Sequence, residues 1–397
     1  MDEPIAIRTL RSIEELEEIR SYWESSKGHR DSEIDIFTSV VLTGPETVRP
    51  HVMVLYRCGL PEAMLIGRID IRPINNMNLG YLKFIPQARQ FYMVYGGLRG
   101  HINRENIESF ISEICDVLKR GEAEAAYLNF MRDDSFLFHI GKKYPSFFCR
   151  DRSEITQDHF SVVLPPSSDQ FMGGLSHKLK RNKERWRKML RDNPGKVEIR
   201  DFHSAEEVPN LVPELEKIAS GTYQRNLGVG FMNTLQQVEL LRTLALKKWL
   251  RAYVLYVQDK PCAFWVGYVT DKIFYGDYIG YHPEYAKYSP GLYLMVRVME
   301  DFCGNGINEV DFGMGAAQYK STLSNKSYPE KSVYIFMPSF RMVVLNLLRT
   351  AIIKINRLSI RFLQKTGFLD RVKRIWRMYL PRRQEIKSPE REVLGPI

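Results

Sequence analysis

Residues 275–320 hold the densest run of side chains that could do chemistry. A loop of small residues, Ser289-Pro290-Gly291, stands before a predicted helix, and Lys287 adds a mobile cation beside it. The start of a helix leaves backbone N–H groups without partners and presents the positive end of the helix dipole, so it can hold a phosphate. The same triplet also begins many helices that bind nothing, because serine caps a helix and proline suits its first turn.

The elements that must position this loop can be read from the hydrophobic pattern. A strand at 272–280 leads into the loop, a helix at about 291–303 ends at Gly304, and a strand follows at 307–312. Further upstream, the pattern predicts a strand at 197–202, helices at 205–221 and 233–248, and strands at 251–258 and 261–270. The loop thus lies between a strand and a helix.

An internal repeat places these elements in a larger plan. Six residues recur 200 positions apart without a gap: Val54, Leu55, Tyr56, Pro61, Ala63 and Gly67 match Val254, Leu255, Tyr256, Pro261, Ala263 and Gly267. Each copy alternates apolar residues on both sides of a polar turn, which predicts a β-hairpin whose return strand begins near the proline. The chain is therefore predicted to be a duplicated α/β domain.

The first copy repeats the order of the second. A helix at 12–25 precedes the hairpin at about 51–71, and a strand at 90–96, a helix at 104–120 and a strand at 125–131 follow it. Before its last helix, however, this copy reads Leu98-Arg-Gly-His-Ile-Asn-Arg, without Ser-Pro-Gly. Two prolines and two serines at 165–168 suggest a linker, which divides the chain into 1–164, 165–338 and a tail at 339–397.

Bulk composition narrows the class of protein. The 397 residues are 44% hydrophobic and 26% charged, as in soluble globular proteins. Five widely spaced cysteines suggest neither a disulfide framework nor a zinc cluster. The N-terminus lacks the pattern of a signal peptide and no run is apolar enough to span a membrane, so we expect a cytoplasmic protein.

A longer motif supports a family comparison. Tyr278-Ile-Gly-Tyr-His-Pro-Glu-Tyr-Ala-Lys-Tyr-Ser-Pro-Gly-Leu is followed by Val310-Asp-Phe-Gly and by Tyr319-Lys320. Over roughly 160–337, the chain resembles the acetyltransferase family of the GNAT superfamily that includes CelD-like cellulose-biosynthesis proteins, a relative of the Fem peptidoglycan aminoacyltransferases. The resemblance implies an α/β (α+β) fold of tandem GNAT-like domains. Each would be a mixed, mostly antiparallel sheet flanked by helices, with the first domain degenerate.

The resemblance also implies a donor site in the second copy. Family members bind the pyrophosphate of acyl-CoA or acetyl-CoA at the loop that corresponds here to Lys287, Tyr288, Ser289, Pro290, Gly291 and Leu292. Only Lys287 and Gly291 match the family's basic residue and its final small residue. Fem relatives use aminoacyl-tRNA instead. No metal is expected, and the first copy is interpreted as structural or acceptor-binding.

Candidate catalytic residues follow from the chemistry of acyl transfer, which needs a base for the ammonium proton and an acid for the leaving thiolate. Asp277 and Asp311 lie near the C-terminal ends of adjacent predicted strands, and Tyr281, Tyr319 and Lys320 lie just beyond. Each has an ordinary alternative role in capping or packing.

Tyr223 and Arg225 lie on a loop between two predicted helices, and in resembling proteins this loop faces the acceptor. A plain connection between helices is the alternative for either residue.

Two short segments carry the excess positive charge, +7 over 176–200 and +10 over 339–397, against a net charge of +10 for the chain. The first is a basic helix that could contact an acidic acceptor, an anionic membrane or, less favoured, nucleic acid. In the second, Asn346, Thr350, Lys354, Arg357, Arg361 and Lys365 form one polar stripe on a predicted helix. Its apolar face is expected either to lie on an anionic bilayer or to pack on the second domain.

Three hypotheses follow. The first is an acyltransferase that moves an acyl group from acyl-CoA to an amine or hydroxyl of a small molecule or of a glycan-linked or lipid-linked envelope precursor, in the cytoplasm and on the inner face of the membrane. The second is a Fem-like aminoacyltransferase that draws on charged tRNA. The third is a non-catalytic, membrane-associated scaffold. The sequence lacks the common motifs of P-loop nucleotide hydrolysis, metalloproteases and serine hydrolases.

Overall fold

The first repeat combines a long hairpin with helices on both sides. A computed structural model describes residues 5–26, 28–79, 82–175, 177, 179–222, 225, 230–315 and 317–365. The elements are β1 (Ile5–Leu10), α1 (Ile13–Glu18), α2 (Arg20–Ser25), a 3-10 turn (Arg30–Ser32), α3 (Ile34–Thr43), β2 (Thr47–Arg57), β3 (Leu60–Pro73), β4 (Asn78–Leu79), β5 (Leu82–Lys83), β6 (Gln87–Gly100), α4 (Arg104–Lys119), β7 (Ala125–Arg132) and α5 (Phe136–Lys143). The helix predicted at 12–25 is wrong in one respect, because the chain breaks at Ile19 into α1 and α2.

The second repeat follows the same plan and ends in a long helix. Its elements are β8 (Ile155–Val163), α6 (Ser168–Leu175), α7 (Lys180–Asp192), β9 (Val197–Phe202), α8 (Val208–Ala219), α9 (Leu235–Leu246), β10 (Leu250–Val257), β11 (Lys260–Thr270), β12 (Ile273–Tyr281), a 3-10 helix (Pro283–Tyr288), α10 (Pro290–Phe302), β13 (Glu309–Met314), α11 (Gln318–Leu323), β14 (Lys326–Phe336) and α12 (Phe340–Lys365).

Twelve of the described strands form one sheet in the order β1-β2-β3-β6-β7-β14-β8-β13-β12-β11-β10-β9. The order is symmetric about its centre, so each strand of the first repeat has a counterpart in the second. Neighbouring strands in this sheet are antiparallel except for β6–β7 and β12–β13, which are parallel. The predicted fold class, a mixed and mostly antiparallel sheet flanked by helices, is confirmed, although the two predicted sheets are joined into one.

The two repeats exchange a strand at the centre of the sheet. Strand β8 follows the first repeat in sequence but pairs with β13, whereas β14 follows the second repeat but pairs with β7. The exchanged strands also pair with each other, with Tyr328 opposite His159. The proposed boundary between 164 and 165 therefore does not separate two hydrogen-bonded units.

The repeated sequence motif describes one irregular hairpin made twice. Both turns have two residues with positive φ, Cys58-Gly59 and Gln258-Asp259, as the tight turns of hairpins require. Both return strands skip one residue of the ladder next to Pro61 or Pro261, which has no N–H to donate.

The glycine that ends the motif is explained by close backbone approach. A Cβ atom at Gly67 would lie 2.5 Å from the Phe91 ring, and one at Gly267 would lie 2.1 Å from the carbonyl oxygen of Tyr275. No larger residue fits at either position without a shift of the neighbouring strand.

Helices cover both faces of the sheet in each repeat. In the first, α4 and α5 pack on one face, while α1–α3 pack on the other around Trp23 and Phe37. In the second, α6, α7 and α10 cover one face around Trp265, and α8 and α9 cover the other around Phe264. The side chain of Ile36, on α3, belongs to this last core, so the first repeat also packs on the second through helices.

Helix α12 lies on the first repeat, which corrects the expectation that it packs on the second. Met342 and Leu345 join a core with Ile74, Met77 and Tyr334. Asn346 and Thr350 of the predicted polar stripe are buried. Among the described helices, none combines the length and the apolar content that crossing a bilayer requires.

Candidate functional site

The sheet opens between two parallel strands of the second repeat. Strands β12 and β13 pair only from Ile273 opposite Glu309 to Tyr275 opposite Asp311. Beyond that point β12 continues along β11 and β13 continues along β8. The C-terminal ends of parallel strands are where α/β sheets bind ligands. This opening is the candidate site.

Asp277 lies in a β-bulge at the edge of the opening. Gly276 pairs with Gly267 and Tyr278 pairs with Val266, so Asp277 is the extra residue of β12. A bulge turns a strand and re-aims its side chains, and bulges are common beside active sites. The backbone of Asp277 is thereby outside the registered pairs of the β11–β12 ladder.

Helix α10 begins next to the opening. A Cβ atom at Gly291 would lie 3.5 Å from the Tyr281 ring and 3.9 Å from the Ile279 side chain. Both residues lie at the C-terminal end of β12. The residue before the helix, Ser289, is left-handed (φ 53°, ψ 53°), and its side chain does not cap the helix. The N–H groups of Gly291 and Leu292 therefore have no intrahelical acceptor.

The basic helix α7 reaches the start of α10. The Arg185 guanidinium donates a hydrogen bond of 2.9 Å to the Ser289 hydroxyl, and the indole N–H of Trp186 donates one of 3.4 Å to the Ser289 carbonyl. At the far end of α7, Asp192 accepts a hydrogen bond of 3.0 Å from the Tyr288 hydroxyl. A guanidinium thus lies beside uncapped N–H groups, an arrangement suited to a phosphate.

The six predicted donor-loop residues differ in what they can contribute. Ser289, Pro290, Gly291 and Leu292 form the start of α10. Tyr288 is buried and bonded to Asp192, so it anchors the loop. The Lys287 ammonium lies 4.8 Å from the centre of the Tyr288 ring.

An arginine from the first repeat pairs with Asp277. The Arg30 guanidinium bonds to the Asp277 carboxylate, lies 2.9 Å from Asp31 and stacks 4.3 Å over the Tyr268 ring. Burial raises the pKa of Asp277 despite the positive charge of Arg30. The pair ties the bulge of β12 to the first repeat, and it occupies the carboxylate predicted as a base.

A second buried network surrounds Asp311. His159 Nε2 lies 2.7 Å from Asp311 Oδ1, and His159 Nδ1 lies 3.3 Å from Glu330, which also accepts a hydrogen bond of 2.9 Å from Tyr95. Burial alone would lower the pKa of His159, but the hydrogen bonds to Asp311 and Glu330 outweigh it and raise this pKa to about 9. The imidazolium comes from the exchanged strand β8. Asp311 also accepts a hydrogen bond of 2.6 Å from the backbone N–H of Gly313.

Lys320 and Tyr319 lie on α11, directly after β13. Lys320 is buried, and its ammonium donates a hydrogen bond of 2.6 Å to the Met314 carbonyl at the end of β13. Burial lowers the pKa of Lys320 to about 8, against the opposing charge of Asp311. Burial raises the pKa of Tyr319 to about 12, and its ring packs 6.1 Å from Phe312. Lys320 is thus the predicted residue whose proton is most easily exchanged near neutral pH.

Comparison with known proteins gives the family of this region. Residues 177–321 match the family model described as acetyltransferase (GNAT) domain. The second repeat is a GNAT acetyltransferase domain. Among curated proteins, none matches the chain.

Solved structures resemble the whole tandem arrangement. The C-terminal domain (DUF2156) of a proposed lysylphosphatidylglycerol synthetase from Agrobacterium fabrum has a TM-score of 0.50 and 14% identity, covering 85% of this chain and 97% of that one. FemX has a TM-score of 0.49 and 10% identity over 83% and 97% of the two chains. A tandem GNAT protein from the clavulanic acid biosynthesis pathway has a TM-score of 0.47 and 12% identity over 84% and 99%. At these identities the likeness concerns the fold alone.

Around the GNAT opening, the predicted residues are brought together unevenly. Tyr281 is exposed beside Gly291, whereas the half-buried Asp277 and Asp311 carboxylates are paired with Arg30 and His159. Arg225 bonds to Glu216 and donates a hydrogen bond of 2.8 Å to the Phe231 carbonyl, so it stabilises its own loop. Tyr223 lies outside the described residues. The described residues bring together no group of three or more side chains suited to a metal ion.

Three residues of the GNAT site were missed by sequence reasoning. Arg185 was seen only as one charge in a basic run, although its position beside Trp186 and Met189, the buried side chains of α7, could have shown which side of the helix is docked. Arg30 and His159 lie 247 and 152 residues from their acidic partners, and no local pattern links them. They are positioned by the packing of one repeat on the other.

Proposed function

We propose that this protein is an N-acyltransferase that takes its acyl group from acyl-CoA. The observation that carries the proposal is the start of α10, which combines two uncapped N–H groups and the Arg185 guanidinium at the mouth of the opening between β12 and β13. A pyrophosphate needs such donors and a positive charge. The thioester arm would then extend from the helix start toward Asp277 and Lys320.

The reaction needs one proton to leave the acceptor and one to reach the donor sulfur. The acceptor amine attacks the thioester carbonyl, the C–N bond forms, the C–S bond breaks, and the CoA thiolate takes a proton. We assign Lys320 to this proton exchange because its pKa is near 8 and Asp311 lies close enough to act on its charge. Tyr281, partly exposed beside Gly291, is the assigned donor of the proton to the sulfur.

The first repeat supports this chemistry without a donor site of its own. Arg30 holds the bulge of β12, and His159 orients Asp311 from the exchanged strand. Arg30 also lines a cavity of about 320 Å³ between the repeats, together with Trp23, Lys247 and Trp249. We propose that the acceptor enters through this cavity and presents its amine to the donor thioester beside Asp277.

We further propose that the acceptor is an amine or hydroxyl of a small molecule or of an envelope or polysaccharide precursor. The enzyme would act in the cytoplasm, and on the inner face of the membrane where the precursor is linked to lipid. The basic surface of the chain at 339–365 supports this place of action.

Donor binding can be tested with a matched pair of arginine variants. Calorimetric titration with acetyl-CoA and longer acyl-CoAs should show binding by the wild type. Arg185→Ala should weaken it about tenfold or more, because a charged hydrogen bond to phosphate is lost. Arg187→Ala removes the same charge from a residue 77% exposed on the same helix and should leave affinity nearly unchanged. Equal losses in both variants would show that only the general charge of α7 matters.

A Fem-like reaction with aminoacyl-tRNA is the second candidate, and the exposed arginines of α7 favour it. Charged tRNA would then bind in a salt-dependent way, and no thioester in the series would bind. Failure of both donors would instead favour a non-catalytic scaffold.

A further inference from the structure

Helix α12 is fixed to the first repeat by one face only. Met342, Leu345 and Arg349 are buried there. The Arg349 guanidinium lies 2.7 Å from Asp151 and donates hydrogen bonds of 2.8 Å to the Ser153 carbonyl and 3.1 Å to the Asn75 carbonyl. A fully buried, paired guanidinium fixes the rotation of the helix about its axis, since any other rotation would leave a charge unpaired.

The opposite face of α12 is apolar and exposed. Five side chains form this outer stripe, with exposed fractions of 88% for Phe340, 48% for Leu347, 46% for Leu348, 46% for Ile355 and 63% for Leu358. At 100° per residue they fall within an arc of roughly 100° that points away from Arg349. From Phe340 to Leu358 the stripe is about 27 Å long. A continuous apolar surface of this kind is unusual on a soluble protein and marks an interaction site.

The flank of the outer stripe is positive. Lys354, Arg357, Arg361 and Lys365 are exposed along one side of it. The sequence contains no aspartate or glutamate between Glu330 and Asp370. Apolar and basic arcs side by side on one helix are the pattern of helices that lie in the interface of an anionic membrane.

We propose that α12 docks on an anionic membrane, with the outer stripe in the acyl-chain boundary and the basic flank on the headgroups. Charge favours a lipid surface over the other occupants. A second copy of the chain would bring the same positive helix against itself, and residues 366–397 carry eight basic and four acidic side chains, so they too are positive. The inference does not depend on the identity of the acyl donor.

The docking face also explains a sequence pattern that the proposed chemistry leaves unused. The predicted polar stripe divides in the structure, because Asn346 and Thr350 are buried while Lys354 and Arg357 remain exposed. The first half of the helix thus packs on the first repeat, and the basic side chains of its second half are exposed. Removing residues 339–397 as a block would remove core side chains, so point variants are the appropriate test.

The test uses the full chain and sedimentation with vesicles. At low salt, the wild type should bind vesicles that contain phosphatidylglycerol and should bind pure phosphatidylcholine at least tenfold more weakly. The double variant Leu347→Ser, Leu358→Ser should bind anionic vesicles at least tenfold more weakly than the wild type. Leu246→Ser, at a leucine 67% exposed on α9, is the matched control and should bind like the wild type.

A charge variant tests the basic flank separately from the outer stripe. Lys354→Glu, Arg357→Glu should abolish the preference for anionic vesicles, and high salt should have the same effect on the wild type. Arg187→Glu, Arg191→Glu on α7 makes the same change on two residues that are 77% exposed and should keep the preference.

Three results would overturn the proposal. They are equal binding of the wild type to both vesicle types, unchanged binding by the Leu347, Leu358 variant, and a dimer in light scattering that this variant dissociates. Acyl-CoA binding by the same variants should stay at the wild-type level. Loss of membrane binding is thereby separated from failure of the proposed acyl transfer.

Discussion

Helices α4 and α10 occupy the same place in the two repeats but begin differently. Helix α4 is capped by Asn103, whose side chain accepts a hydrogen bond of 2.8 Å from the Asn106 N–H, and the Asn106 side chain donates one of 3.0 Å to Glu62. Helix α10 has no side-chain cap and meets Arg185 instead. The protein satisfies the first helix start with its own side chains, and the second is the start that we propose to bind the donor.

The parallel strand pairs next to these helices, β6–β7 and β12–β13, also differ in the residues at their last paired position. In the second repeat, Tyr275 is opposite Asp311, and in the first the equivalent pair is Tyr92 opposite Tyr127. The ring of Tyr127 stacks on Tyr92 at 5.6 Å and lies 4.7 Å from Tyr334. Aromatic rings therefore fill the corner that holds a titratable network in the second repeat. Both repeats keep a parallel strand pair that parts after three residues, but only the second holds the titratable network at that point.

The largest expected effect concerns Arg30, a residue of the first repeat that pairs with Asp277 of the second. Arg30→Met leaves Asp277 buried without a cation and should lower the free energy of unfolding by about 3 to 5 kcal/mol. Chemical denaturation measures this loss. The double variant Arg30→Met, Asp277→Asn should recover part of the stability, and an additive loss would show that the pair is not coupled.

The His159 network should make stability depend on pH. The pKa of His159 is raised to about 9 from an unfolded value near 6.5, so its contribution is complete below pH 6.5 and disappears as pH rises through 9. The expected loss is on the order of 3 kcal/mol. In His159→Gln, denaturation midpoints should no longer fall over this range. Lys320, with its lowered pKa of about 8, adds stability above that pH, so the test is clearest between pH 6.5 and 8. A wild type with constant midpoints over that window would contradict the assignment.

Lys320 should affect turnover more than binding. Lys320→Met should lower kcat about a hundredfold while acyl-CoA affinity stays the same. In the wild type, kcat should rise with pH up to about 8, because the neutral amine is the proton acceptor and the pKa of Lys320 is about 8. Lys142→Met removes a lysine from α5, the helix that follows β7 in the first repeat, where it pairs with Glu154 at 3.0 Å, and should leave kcat unchanged.

The smallest effect should come from the cap of α4. Asn103→Ala should destabilise the protein by about 1 kcal/mol, because the Asn106 N–H loses its acceptor. Donor affinity should stay the same. Ser289→Ala should do the reverse, with little change in stability and a few-fold weaker acyl-CoA binding through the lost contact with Arg185. Thermal melting and calorimetry together distinguish the two patterns.

The sequence predicted what local patterns determine. The hairpins were readable because turn, proline and glycine lie within fourteen residues, and the start of α10 was readable from Ser289-Pro290-Gly291. The exchange of β8 and β14 was not, because a strand's partner depends on packing across the whole chain. Arg30 is a similar case, since its partner Asp277 lies in the other repeat.

The sequence left open whether the apolar face of α12 lies on a bilayer or packs on the second domain, and it did not predict packing on the first repeat. Amphipathic periodicity shows that a helix has two faces but not which neighbour covers either of them. Here Arg349 pairs with Asp151, and because this buried pair faces the first repeat, the outer stripe on the opposite side of α12 is exposed. Periodicity correctly predicted a helix but not which side of it is covered.

The central claim is that the uncapped start of α10 binds the acyl-CoA pyrophosphate, and titration of acetyl-CoA into two tryptophan variants tests it most directly. Gly291→Trp fills the space beside Tyr281 and should abolish the binding heat, with an unchanged circular dichroism spectrum as the folding control. Arg104→Trp, at the first position of α4, should bind like the wild type. Normal binding by Gly291→Trp, or loss of binding in both variants alike, would contradict the account.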